Sequence, residues 1–147
     1  MLEAHSTAAL ATSGEDGPWA SSVFYASDDR LCLYFLTDGR TRHGRNLAGD
    51  GRVAAAINAD VSAWSDIRGL QIEGVAAVVP EAGREEALNL YLDKFGAVRT
   101  LTRAPRDDDE HEIGRRLGLI PIWKLVPARV RILDNRVRFG WKEEFVP

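Results

Sequence analysis

Residues 31–46 read LCLYFLTDGRTRHGRN, and the fold turns on them. Leu31, Leu33 and Phe35 alternate with Cys32, Tyr34 and Leu36, and every one of these side chains is apolar or aromatic. A short run of this kind, closed by Asp38-Gly39, predicts a strand over Leu31–Thr37 buried on both faces. The character then changes. Thr37, Arg40, Thr41, Arg42, His43 and Arg45 place two hydroxyls, three guanidiniums and an imidazole within nine residues. Thr41 is a suitable N-cap for a short helix from Arg42 to Leu47. A strand end, a turn and a helix start rich in donors suit a phosphate, because free amides, the helix dipole and arginine forks all favour an anion there. The alternative is a solvated basic face, which charge clusters of this kind usually form. Against it, cations in a first helical turn oppose the dipole, and a bound anion would remove that conflict.

Outward from this stretch, the chain reads as strands divided by turns. Ser6–Ser13 and Trp19–Ala26 form a hairpin around Gly14-Glu15-Asp16-Gly17-Pro18. Arg52–Ala59 is a strand of small residues that would let a flat ligand or another backbone approach closely. Asp66–Val79 is a long strand whose Gly69 and Gly74 mark bulges or bends. Glu81–Phe95 is an amphipathic helix with Gly96 as its C-cap. Val98–Gly118 carries little signal, apart from the acidic run Asp107–Glu110 as the N-terminus of a helix over His111–Leu117. Leu119–Val126 and Arg129–Leu133 return to strand pattern. Asp134-Asn135 is a turn, and Arg136–Trp141 is expected to close the sheet. The sum is one domain over residues 1–147: mainly β with a few helices (α+β), an antiparallel barrel of about six or seven strands.

Composition narrows the function. A net charge of −3 argues against a general nucleic-acid binder. No apolar run approaches the roughly 20 residues of a membrane span, and MLEAHSTAAL has no basic region before an apolar core, so a soluble cytoplasmic protein is expected. Cys32 falls inside a buried strand pattern and reads as a core residue. His5, His43 and His111 are too widely spaced for a zinc pattern, and no catalytic triad or carboxylate pair stands out.

FLTDGRTRH resembles the phosphate-holding segment of the pyridoxamine 5'-phosphate oxidase-like proteins, a superfamily of flavin-binding split barrels. In that superfamily a strand ends in Thr and a Ser-Arg-Lys triplet begins four residues later. Here Thr37 takes the Thr place, and Thr41, Arg42 and His43 take the triplet. His in place of Lys makes the third contact depend on pH. IRGLQIEG, with Arg68, Gln71 and Gly74, resembles the superfamily's long strand, although Gly69 stands where its Gln would be. WKLVPARVRILDNRVRFGWK, including Trp123, Pro127, Asp134, Asn135, Phe139, Gly140 and Lys142, is similar to a smaller branch that also carries Thr-Arg-His and Ile-Arg-Gly-x-Gln.

The resemblance implies a split barrel, a homodimer and FMN in clefts between subunits. Thr37, Thr41, Arg42 and His43 would contact the phosphate, and Gln71 the flavin or ribityl chain. Ser21, Ser22 and Tyr25 would line the same cleft, while Trp123 and Lys142 would reach the partner's cofactor. A flavin-dependent oxidoreductase acting on a small molecule follows, with other activities than pyridoxamine phosphate oxidation expected from so short a chain. A non-catalytic flavin- or haem-binding or storage protein on the same barrel is the alternative, and a structural dimer with an empty site a third. The apolar character of Leu31–Leu36 on both faces also suggests that a partner subunit covers the outer one.

Overall fold

The computed structural model describes residues 1–147. Seven strands and four helices follow in the order β1 (Thr7–Gly14), β2 (Gly17–Ser27), β3 (Leu33–Leu36), α1 (Arg42–Gly49), β4 (Arg52–Asn58), β5 (Arg68–Val78), α2 (Glu81–Lys94), α3 (Gly96–Arg103), α4 (Asp108–Leu119), β6 (Ile122–Asp134) and β7 (Lys142–Phe145). All neighbouring strands are antiparallel, in the order β3-β2-β1-β4-β5-β6-β7. The long strand β6 explains the closure. Its first part, Ile122–Leu125, pairs with β3 and seals a six-stranded barrel. Its last part, Val130–Leu133, pairs instead with β7 on the same edge. The barrel is therefore closed at one end and split at the other. No helix is long and apolar enough to cross a membrane.

Alternation along each strand fills the barrel. Leu10, Tyr25, Leu33, Phe35, Ile57, Ile72 and Leu125 are essentially inaccessible and belong to one cluster. A second cluster lies outside the wall, where Ala87 and Tyr91 of α2 pack on Ala26, Cys32, Tyr34 and Ile122. This corrects one expectation: the outer face of β3 is covered by α2 of the same chain. Cys32 is buried there as a free thiol.

Other differences have local causes. β3 starts at Leu33 because Asp28 Oδ1 accepts from the amides of Arg30 and Cys32, holding a turn in which Leu31 takes φ +61°. Gly74 does sit at a bulge, where Glu73 pairs with Arg129 and Gly74 with Pro127, leaving Ala128 unpaired. A Cβ on Gly74 would stand 2.2 Å from Val126 O. Gly69 marks no bulge: it pairs regularly with Asn58 and Leu133. Gly96 is not the cap of α2; Phe95 fills that position and Gly96 opens α3. Leu119–Val126 and Arg129–Leu133 merge into β6, because Pro127, which has no N–H to offer, falls at the bulge and interrupts the pattern rather than the strand. The expected closing strand Arg136–Trp141 is a loop. Asp134 accepts from Arg136 N, Asn135 Oδ1 accepts from Gly140 N at φ +70°, and pairing resumes only at Lys142.

Candidate functional site

Where β3 ends, Thr37 N donates to Pro121 O and turns the chain across the barrel mouth. Thr41 then caps α1: its Oγ1 accepts from Gly44 N at 3.1 Å and donates to Asp38 O at 2.7 Å. Gly44 is what lets the turn close, since a Cβ there would lie 2.3 Å from Asp38 O and 2.9 Å from Thr41 Oγ1. One turn into the helix, His43 reaches back so that Nε2 lies 2.5 Å from Thr37 Oγ1, which is also 3.4 Å from Thr41 Oγ1. Thr37, Thr41 and His43 thus form one cluster at the helix N-terminus. Burial lowers the His43 pKa below its ordinary value, so the free protein holds a neutral imidazole near neutral pH.

The first two amides of α1, on Arg42 and His43, have no acceptor within the chain. Arg42 is held to one side. Its Nη2 donates to Asp16 O at 2.8 Å, and its guanidinium lies 4.5 Å above the Trp19 ring. Its Nε is buried without an acceptor. Arg40 extends outward in an ion pair with Asp38. Two free amides, an orphaned guanidinium nitrogen and the Thr37 hydroxyl make a donor set that fits a phosphate, with the Thr41 hydroxyl committed to Asp38 O.

The remaining residues divide by strand face. Ser22 faces outward and Ser21, its neighbour, inward, where Ser21 Oγ is buried with no partner. Adjacent strand residues cannot line one cleft. Tyr25 belongs to the barrel interior. Its hydroxyl donates to Leu2 O at 2.8 Å, Lys94 Nζ lies 3.9 Å above its ring, and burial pushes its phenol up to about 12. Trp123 is buried in the same core, and Lys142 is exposed on β7.

Gln71 and Ser22, by contrast, share one row. Through successive pairings, Ser22 stands opposite Ala9, Ala9 opposite Ala56, Ala56 opposite Gln71, Gln71 opposite Arg131 and Arg131 opposite Glu144. The next row runs Ala20, Ala11, Ala54, Glu73, Arg129 in the same manner. Five alanines, Ala9, Ala11, Ala20, Ala54 and Ala56, therefore floor an outer trough of about 410 Å³, with Ser22 next to Ala9 at the end of its row. Its wall is polar: Arg131 donates to Gln71 Oε1 at 3.3 Å and pairs with Glu144 at 2.7 Å, while Arg129 pairs with Glu73 at 3.1 Å. Of the β4 alanines, the sequence pattern signalled a close approach; the arginine wall carried no signal, because it is assembled from cross-strand partners distant in the chain.

The architecture is a split barrel with a donor-lined turn at one strand end and a side-chain-poor trough on its outer wall. Residues 1–134 match the family model described as pyridoxamine 5'-phosphate oxidase, and the chain belongs to that family. A UPF0306 protein of Klebsiella pneumoniae (strain 342) is 29% identical over 133 residues, covering 88% of this chain and 78% of that one. Among solved structures, a heme binding protein from Mycobacterium smegmatis superposes with a TM-score of 0.71 at 24% identity, covering 96% of this chain and 52% of that one. This chain thus spans about half the length of that protein. A FAD-binding protein (mll6688) from Mesorhizobium loti superposes with a TM-score of 0.62 at 13% identity, covering 88% of this chain and 84% of that one. These two likenesses concern the fold.

Proposed function

We propose that this protein binds FMN at a homodimer interface and serves as a flavin-dependent oxidoreductase for a small molecule. The observation that carries the reading is the Thr37–Thr41–His43 cluster at a helix start with two unpaired amides beside it. Thr37 and the Arg42 and His43 amides would hold the phosphate, with Arg42 Nε as a further donor and Thr41 fixing the turn through its cap. The alanine trough would receive the planar ring, because only side chains this small leave a flat face against the sheet. Gln71, Arg131 and Ser22 would meet polar atoms of the ring and ribityl chain.

A bound flavin supplies hydride and electron transfer; the chain binds and orients it. A trough on the outer wall is open to water on one side, and a second copy of the chain would close it by two-fold symmetry. A fold shared with a heme binding protein gives haem as the second reading. The cluster favours flavin, since the one imidazole in it already has Nε2 on Thr37. The visible spectrum of purified protein, followed by titration with FMN and with hemin, tests both. Saturable FMN binding lost in Thr37→Val supports the proposal. A Soret band with no FMN binding would overturn it, and FMN bound but not reducible by NADH or NADPH would leave a storage role instead of catalysis.

A further inference from the structure

A second row crosses the outer wall on the other side of the barrel. Ala26 of β2 stands opposite Tyr34 of β3, Tyr34 opposite Lys124 of β6, and Lys124 opposite Ala77 of β5. Helix α2 covers the first half of this row, where Ala87 and Tyr91 pack on Ala26 and Tyr34. It stops short of the second half. The uncovered part is the floor of a groove of about 760 Å³, with Ala87 and Leu90 of α2 on one side and Val75 and Val126 on the other. That volume lies within the roughly 300–1,000 Å³ typical of small-molecule sites. None of its lining residues belongs to the phosphate turn or to the alanine trough.

Of the two cations in the lining, Arg30 and Lys124, Lys124 is the one in the strand row that forms that floor, its side chain 36% exposed. Its Nζ lies 5.1 Å from the Tyr34 ring centre and 3.8 Å from Asp28 Oδ2, beyond hydrogen-bond distance. Asp28 is already committed: it accepts from Arg30 N, Cys32 N and Tyr34 Oη, each at 2.9 Å. Tyr34 first, with Asp28, raises the Lys124 pKa, so the ammonium stays charged. An ammonium has three N–H donors, and Tyr34 can accept only one of them. Nζ is in an ion pair with Asp28 at the edge of a groove whose aliphatic side is Val75, Ala77, Val126 and Leu90. Asp28, Asp29 and Glu86 line the groove against Lys124 and Arg30, so a polyanion such as a phosphate ester would meet a net negative charge there.

We propose that this groove binds a small aliphatic monocarboxylate, its carboxylate on Lys124 Nζ and its chain along Val75, Ala77, Val126 and Leu90. A charge-assisted hydrogen bond to an ammonium in a partly dry groove anchors the head, and the aliphatic walls take the tail. Calorimetric titration of the full-length protein with decanoate tests this, with decanol as the uncharged control. Saturable binding of one decanoate per chain is expected, at least tenfold weaker for Lys124→Met, with decanol no better than that variant. Ala77→Phe, at an exposed position beside Lys124, fills the groove while leaving the ammonium in place, and should abolish binding without a change in melting temperature. Saturation with FMN should leave decanoate affinity unchanged. Equal affinity in Lys124→Met or Ala77→Phe, competition by FMN, or no saturable binding below the micellar concentration would each overturn the proposal.

Discussion

Thr37 Oγ1 lies 2.5 Å from His43 Nε2, which ties the residue just past strand β3 to the first turn of the helix that follows. Thr37 is buried, and burial also lowers the His43 pKa. The sign of the pH effect follows. A histidine with a folded pKa below its unfolded value of about 6.5 contributes nothing adverse above that pH. As pH falls through 6.5 towards the folded pKa, the unfolded chain takes up the proton first and stability drops. Urea melts at successive pH values should show this loss in the wild type and not in His43→Gln. A bound phosphate reverses the preference, since the dianion favours imidazolium. FMN affinity should therefore rise as pH falls from 7.5 towards 6.5, with proton uptake measurable by calorimetry in buffers of different ionisation enthalpy. A flat titration would remove His43 from the phosphate contacts.

Thr41 has a different duty. It caps α1 and binds Asp38 O, so Thr41→Ala should cost about 1 kcal/mol of folding stability, within the usual range for a lost N-cap. Thr41→Ser should retain most of it. Chemical denaturation of the two variants checks this. Equal stability of the Ala variant and the wild type would mean that the turn is fixed by Gly44 and the barrel alone.

The turn is legible in the sequence because its signals are local: an apolar run, Asp38-Gly39 and a capping threonine within one short stretch. The same holds for β1, β2 and β4. That Gly44 lets the turn close emerges only with the structure. What stayed hidden depends on partners far along the chain. Arg42 reads as a free phosphate ligand, whereas the β1–β2 hairpin brings Asp16 O and Trp19 to its guanidinium and leaves only Nε without a partner. Tyr25 reads as a cleft residue, yet strand alternation with Val23 turns it inward to Leu2. The close of the sheet was misplaced because Arg136–Trp141 has strand composition, whereas the side chains of Asp134 and Asn135 bind its backbone into a loop. The α3–α4 region gave little signal because its helices bury no residue fully.

Gly44→Ala tests the closeness of the turn. The added methyl would sit 2.3 Å from a backbone oxygen that cannot swing away as a side chain could. Overpacking of this kind costs about 1–3 kcal/mol. The melting temperature should fall, and FMN affinity with it, because the Arg42 and His43 amides move when the first turn opens. Unchanged melting would show that the Asp38 carbonyl can rotate aside.

Ala9→Phe separates the trough from the turn. Ala9 is exposed on β1 at the centre of the Ser22–Gln71 row, so the substitution leaves the barrel interior alone. Melting should stay within a few degrees of the wild type. FMN binding should fall by at least tenfold, whereas inhibition of residual binding by inorganic phosphate persists. If the ring lies elsewhere, Ala9→Phe will bind FMN as the wild type does. Sedimentation of the same variant reports on the dimer: if the trough is also the interface, the dimer will weaken in parallel.

Arg42 has two duties, and they can be told apart by which quantity changes. Its contact with Trp19 and its bond to Asp16 O brace the β1–β2 hairpin, and an exposed cation–π contact contributes about 0.5–1 kcal/mol. Its buried Nε, with no acceptor in the free protein, is the donor that a phosphate would satisfy. Arg42→Ala should therefore lower stability by no more than about 1 kcal/mol, yet weaken FMN by about 1.5–3 kcal/mol, the range for a hydrogen bond to a charged group. Arg42→Lys should not restore affinity, because an ammonium has neither the fork nor an Nε at that position. Equilibrium denaturation and flavin-fluorescence titration of the two variants give both numbers. A loss of stability with FMN affinity unchanged would make Arg42 a brace for the hairpin alone and leave the phosphate to Thr37 and the helix amides.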